Sequence, residues 1–94
     1  MGEMTKEQAL TALRAANPRA AAGDLHIYVD AWAEYRAAQA NIDEHGSIVL
    51  HPRTGAPLAN PYLVIRDKAG AVMTRQRLKA DALWPEPAAK ARRK

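Results

Sequence analysis

The chain has 94 residues, which is enough for one small domain with a single hydrophobic core. Its composition excludes several classes of protein: with no cysteine there is neither a disulfide framework nor a thiolate metal site, and no segment approaches the ~20 apolar residues of a membrane span. The net charge is +4. The N-terminus lacks the apolar run of a signal peptide, so we expect a soluble intracellular protein with no membrane partner.

The hydrophobic content of 48% is inflated by alanine, which supplies 21 residues. Only 24 side chains are Leu, Ile, Val, Met, Tyr or Trp. Burying each of these side chains stabilises the fold by ~1.5–3 kcal/mol, whereas ordering each residue of the chain costs ~1.5 kcal/mol. The two sums nearly cancel, so an isolated folded monomer has only marginal stability. Because alanine-rich helices pack closely, we expect self-association. Alanine is also simply a strong helix former, which is the competing explanation.

Charge is distributed unevenly along the chain. Residues 24–46 carry a net charge of −4, whereas residues 61–94 carry +6. A basic C-terminal third favours contact with a polyanion. The alternative interpretation is a solvated helix face followed by a solubilising tail.

The first predicted helix covers about residues 5–16. Thr5 and Gln8 match a capping box, and the helix ends before Asn17-Pro18 because the residue before proline disfavours helical geometry. Asn17 is then expected to cap a second helix with Pro18 at its first position. A helix-turn-helix around Asn17-Pro18 is a less favoured alternative.

A long second helix is predicted over about residues 19–45, with its start at either Arg19 or Asp24 because Gly23 weakens the first turn. Gly46 suits its C-terminus, and Gln39 interrupts its apolar stripe where a partner helix or water is expected. The stripe recurs at spacings of three or four and consists of Leu25, Tyr28, Val29, Trp32, Tyr35 and Ile42.

The connector from Gly46 to Pro61 holds most of the strand and turn signals. Residues 47–50 have strand character and residues 51–55 have turn chemistry, while Pro52 and Pro57 restrict ladder pairing. We therefore expect either a short, irregular hairpin or an ordered loop. Asn60 is predicted to cap the third helix, with Pro61 at its first position.

The third helix is predicted over about residues 61–80, packed antiparallel to the second. The fold class is thus mainly α, a long antiparallel helical hairpin with a short N-terminal helix, in a single domain over residues 1–84. Residues 85–94 are expected to form a disordered basic tail. The face of the third helix expected to point inward consists of Tyr62, Ile65, Ala69, Val72 and Met73.

No catalytic constellation is present in the sequence. His45 and His51 lack the spacing of a metal site, no glycine pattern cradles phosphate, and Ser47 has no local base. We expect no catalytic residues, no metal and no cofactor, and hence a protein that is not an enzyme.

The chain resembles the phage terminase small subunits. The resemblance lies in an ordered set of features over about residues 24–84: AWAEYRAAQANIDEHG with Trp32 and Tyr35, Gly46 before a variable loop, and Asn60-Pro61 opening GAPLANPYLVIRDKAGAVM. Members of this family are non-enzymatic. They assemble as rings, bind viral DNA and present it to a large subunit that carries the ATPase and nuclease.

The resemblance implies double-stranded viral DNA, a large terminase subunit and further copies of the chain as partners, in the cytoplasm of a bacterial host. It implies a ring interface through the hairpin residues Trp32, Tyr35, Ile65 and Val72. A small regulatory or structural interaction protein that binds no DNA is the rival function. The DNA contacts implied for the third helix and tail are Arg66, Lys68, Arg75, Arg77, Lys79, Lys90, Arg92, Arg93 and Lys94.

Overall fold

The computed structural model describes residues 4–84. It confirms a mainly helical fold with a small two-stranded connector. Among the described residues, no helix is both long and apolar enough to cross a membrane. The elements in chain order are α1 (Lys6–Ala16), α2 (Ala22–His45), β1 (Ile48–Leu50), β2 (Pro57–Ala59), α3 (Tyr62–Gln76) and a 3-10 turn, η1 (Asp81–Leu83).

Helices α2 and α3 form the antiparallel hairpin. Near the start of α3, the Arg66 Nη1 atom donates a hydrogen bond to Gln39 Oε1 at 3.2 Å. Further along α3, a Cβ built on Gly70 would lie 3.5 Å from Cε2 of Tyr35. Residue numbers therefore fall along α2 as they rise along α3. Gln39, predicted to interrupt the apolar stripe for a partner helix, meets that helix through Arg66.

Trp32 lies at the centre of the core, with a side chain that is 2% exposed. Its indole Nε1 donates a hydrogen bond of 3.2 Å to the carbonyl of Leu83, which attaches η1 to α2. Helix α1 contributes Ala9 and Leu13 to the same cluster. The predicted stripe of α2 is buried here except for the half-buried Tyr35, and the periodicity missed the small residues Ala31 and Ala38.

The prediction that Asn17 caps α2, with Pro18 at the first helical position, is wrong. The helix begins at Ala22 after an N-cap, Ala21, that makes no side-chain capping bond. Asn17 instead closes α1, since its backbone N–H donates to the carbonyls of Leu13 and Arg14. Its side chain is engaged with a distant segment of the chain, and so does not cap the helix that follows. The capping box between Thr5 and Gln8 at the start of α1 is confirmed.

Helix α3 ends at Gln76, four residues before its predicted end. Arg77 adopts a left-handed conformation with φ 53°, which turns the chain towards η1. The inward face of α3 also differs from the prediction. Ala69 and Met73 are buried as expected, but Tyr62 and Ile65 are 39% and 40% exposed.

The connector folds into an antiparallel hairpin in which Val49 lies opposite Leu58. Asn60 follows this hairpin and is the one buried polar side chain among the described residues. Its Nδ2 donates to the carbonyl of Gly46 at 2.9 Å and to Asn41 Oδ1 at 3.1 Å. Its Oδ1 accepts from the N–H of Tyr62 at 2.9 Å, so Asn60 satisfies the first N–H of α3 as predicted, although the helix begins at Tyr62 and Pro61 is its flanking residue rather than its first position.

Replacing Asn60 should destabilise the protein more than replacing its partner does. Asn60→Ala removes the hydrogen bond to the first N–H of α3 and leaves three part-buried partner groups unpaired, so we expect the free energy of unfolding to fall by about 2–4 kcal/mol. Asn41→Ala removes one acceptor only and should cost about 1 kcal/mol. Urea denaturation followed by circular dichroism measures both. Equal losses would show that the cap and the Gly46 bond contribute little.

Two glycines should respond in opposite ways to alanine. Gly70 is helical and a Cβ there meets Tyr35 at ordinary van der Waals distance, so Gly70→Ala should stabilise the protein by about 0.5–1 kcal/mol. Gly46 has φ +88°, so Gly46→Ala should cost about 1–2 kcal/mol. Thermal melts at one protein concentration test the pair. A lower melting temperature for Gly70→Ala would mean that α2 and α3 lie closer together at Gly70 than the 3.5 Å contact with Tyr35 indicates.

Candidate nucleic-acid interface

Asn17 joins two connecting segments that are far apart in sequence. Its Nδ2 donates to the carbonyl of Lys79 at 2.8 Å, and its Oδ1 accepts from the N–H of Lys79 at 2.9 Å. A side-chain amide that satisfies both backbone groups of one residue fixes the position and orientation of that residue. The turn between α1 and α2 is thereby held against the segment between α3 and η1.

This pairing brings together four cationic side chains, which we call the basic cluster: Arg14, Arg19, Arg77 and Lys79. Arg14 lies one turn before Asn17 and Arg19 two residues after it, while Arg77 lies two residues before Lys79. All four are exposed, and none forms an ion pair within residues 4–84. The cluster therefore presents concentrated, uncompensated positive charge to solvent.

Only part of the predicted DNA-contacting set lies in this cluster. Arg77 and Lys79 belong to it, whereas the side chain of Arg66 is 27% exposed and lies between Gln39 and Asp67. Lys68 and Arg75 are exposed on the side of α3 that faces away from α2. The four tail residues Lys90, Arg92, Arg93 and Lys94 lie outside the described residues.

Sequence reasoning missed Arg14 and Arg19. Each is a single charge in an otherwise nearly neutral stretch, so charge counting gave it no weight. Their proximity to Lys79 depends on the long-range bonds of Asn17, a residue whose position before Pro18 suggested a local helix cap. Within the sequence, the asparagine at position 17 was the only hint of this long-range contact, because a side-chain amide in a turn can bind a distant segment instead of capping a helix.

The predicted ring-interface residues fall into two groups. Trp32 is enclosed within one chain, with the Arg36 guanidinium carbon 5.0 Å from the centre of its ring, so it has no surface to offer to a second copy. Tyr35 and Val72 are half-buried, and Ile65 is 40% exposed. The interface role predicted for Trp32 is therefore corrected to one in the core of the single chain.

An open aromatic groove of about 540 Å³ lies beside the hairpin. Trp84 packs edge-on against Tyr35 with ring centroids 5.5 Å apart, and its Nε1 donates to the Tyr28 hydroxyl at 2.9 Å. These contacts use the polar atoms of the groove to attach the segment after η1. Residues 4–84 hold no group of three or more metal-ligating side chains.

The described residues form a small helical hairpin with an exposed basic cluster. The comparison with known families is more specific: a family model described as phage terminase, small subunit, matches residues 4–80. The chain therefore belongs to the phage terminase small subunit family, which is generally non-catalytic. No curated protein and no solved structure matches it.

The burial of Trp32 can be tested against the more exposed tryptophan. Trp32→Ala should cost about 3–5 kcal/mol because it opens a cavity and removes the bond to Leu83, enough to unfold so small a domain. Trp84→Ala should cost less, since Trp84 is 36% exposed. Circular dichroism in urea reports both. An unchanged midpoint for Trp32→Ala would contradict its place at the centre of the core.

Proposed function

We propose that this protein is the small terminase subunit that binds viral DNA and presents it to the large terminase subunit, with its ATPase and nuclease, for genome packaging. The family match over residues 4–80 is the observation that carries the proposal, because the family places the chain in phage DNA packaging. We further propose that it acts as a homo-oligomeric ring in the cytoplasm of the bacterial host.

The basic cluster is the proposed DNA contact. Its four cations come from two segments that the Asn17 bonds hold together, so positive charges distant in sequence lie on adjoining parts of the surface. Asp81 is two residues from Lys79, yet the cluster keeps an excess of positive charge. Contacts of this kind position DNA without reading its sequence. The basic tail residues are proposed to add to this electrostatic attraction for DNA; they are Lys90, Arg92, Arg93 and Lys94.

The alternative function is that of a small regulatory or structural interaction protein without DNA binding, and an exposed apolar face supports a protein partner. The β1 residues Ile48 and Leu50 are 61% and 67% exposed, opposite Ala59 and Pro57 of β2, so one face of the hairpin is apolar and open. Exposed apolar patches of this kind are typical of protein-binding surfaces. The large subunit would be one such partner, so this observation is compatible with both functions.

Neutralising the cluster should weaken DNA binding. Arg14→Gln with Arg19→Gln removes two phosphate contacts, so we expect roughly tenfold weaker binding at moderate salt and a decrease of roughly 2 in the slope of log K against log salt. Gel shifts with a double-stranded DNA fragment over a salt series measure both quantities.

The matched control removes the same net charge elsewhere, with Lys6→Gln and Arg53→Gln. Lys6 pairs with Asp30 at the solvent-exposed surface, where an ion pair contributes little to stability. Equal losses in the two double variants would exclude the cluster as the contact. A wild-type protein that light scattering finds monomeric, and that shows no salt-dependent DNA binding, would support the interaction protein instead.

A further inference from the structure

Helices α2 and α3 each carry an exposed charged stripe of one sign. On α2, Glu34, Ala37 and Glu44 are separated by three and seven residues and lie along one side of the helix; we call this the acidic stripe. On α3, the basic stripe of Lys68, Ala71 and Arg75 has spacings of three and four. All six residues are exposed.

The two stripes cannot meet within one chain. Ala69 and Met73 are the buried residues of α3 and face α2, so Lys68 and Arg75 point away from it. Within residues 4–84, Glu34, Lys68 and Arg75 form no ion pair. Helix α2 as a whole carries five acidic groups and one basic group. Glu44 Oε1 lies 4.0 Å from Nε2 of its neighbour His45, and the other three charges of the two stripes have no ion-pair partner in the described chain.

The stripes are complementary to each other. Each has an alanine between its charges, which lets two helix backbones approach closely. At about 1.5 Å per residue, the acidic groups lie about 15 Å apart and the basic groups about 10 Å apart, a difference of about 5 Å that long lysine and arginine side chains can span. Opposite charges arranged along two such surfaces set the register of an interface and disfavour wrong partners.

Each stripe also continues into an exposed apolar residue. Ile27 lies seven residues before Glu34 and is 46% exposed, and Val64 lies four residues before Lys68 and is 57% exposed. Apolar side chains gain free energy by burial against protein and gain nothing from a phosphate backbone. This combination favours a protein partner over DNA at both stripes.

We propose that the acidic stripe of one copy packs against the basic stripe of the next copy in a head-to-tail interface. This inference rests on the proposed function, which it deepens by naming the surfaces through which copies of the chain associate. A head-to-tail contact closes into a ring when the rotation between neighbours allows it. Lys68 and Arg75 then belong to the subunit contact, and DNA is left to the basic cluster.

Charge reversal tests the interface in two variants. The first carries Glu34→Lys and Glu44→Lys, and the second carries Lys68→Glu and Arg75→Glu. Each alone places like charges against each other, so light scattering should give the mass of a single chain. An equimolar mixture should reassemble, because each copy then meets only partners of opposite charge. A chain with all four substitutions should assemble by itself.

The control variant, Glu7→Lys with Asp24→Lys, changes the charge equally but lies off the stripes and should remain assembled. Circular dichroism checks that every variant is folded. The interface is overturned if either reversed variant stays assembled, if the folded pair fails to recombine, or if the wild-type protein is monomeric. Gel shifts on the same samples separate the two proposals. Reassembly without DNA binding by the wild-type protein would reject the packaging function alone, and DNA binding without recombination would reject the interface alone.

Discussion

The arrangement of the hairpin depends on the buried amide of Asn60. Its three hydrogen bonds join the carbonyl of Gly46 at the end of α2, the side chain of Asn41 within α2 and the first N–H of α3. A buried amide leaves little freedom, because each unpaired donor or acceptor would cost free energy. Asn60 therefore sets both the starting point and the rotation of α3. That rotation decides which side chains of α3 face α2 and which face outward.

A second asparagine performs a related role at the opposite end of the hairpin. Asn17 binds both backbone groups of Lys79, whereas Asn60 binds groups on either side of the connector. Between them, the core around Trp32 supplies the apolar burial. The positions of the charged surfaces follow from these contacts. The basic cluster forms where Asn17 joins two connecting segments. The basic stripe lies on the side of α3 that faces away from α2, because the bonds of Asn60 fix the rotation of α3.

Local patterns were sufficient to predict the elements, and long-range contacts account for the errors. The periodicity of α2, the capping box at Thr5 and the Asn60-Pro61 start of α3 each depend on residues within one turn or one helix. Helix α3 has apolar residues on several sides, so periodicity could not choose its inward face. Close approach at Ala69 and Gly70 chose it, leaving Ile65 partly exposed. Local patterns could not predict the basic cluster either, because Arg14 and Lys79 are distant in sequence.

The bonds of Asn17 also couple the binding of a polyanion at the basic cluster to the packing of α1 against the rest of the protein. This helix is held mainly by the packing of Ala9 and Leu13, a smaller contact than the one between α2 and α3. If α1 detaches, Arg14 moves away from Lys79 and the cluster divides. A polyanion that contacts both segments then binds the docked state alone, so the two equilibria are linked and ligand shifts the population towards docked α1.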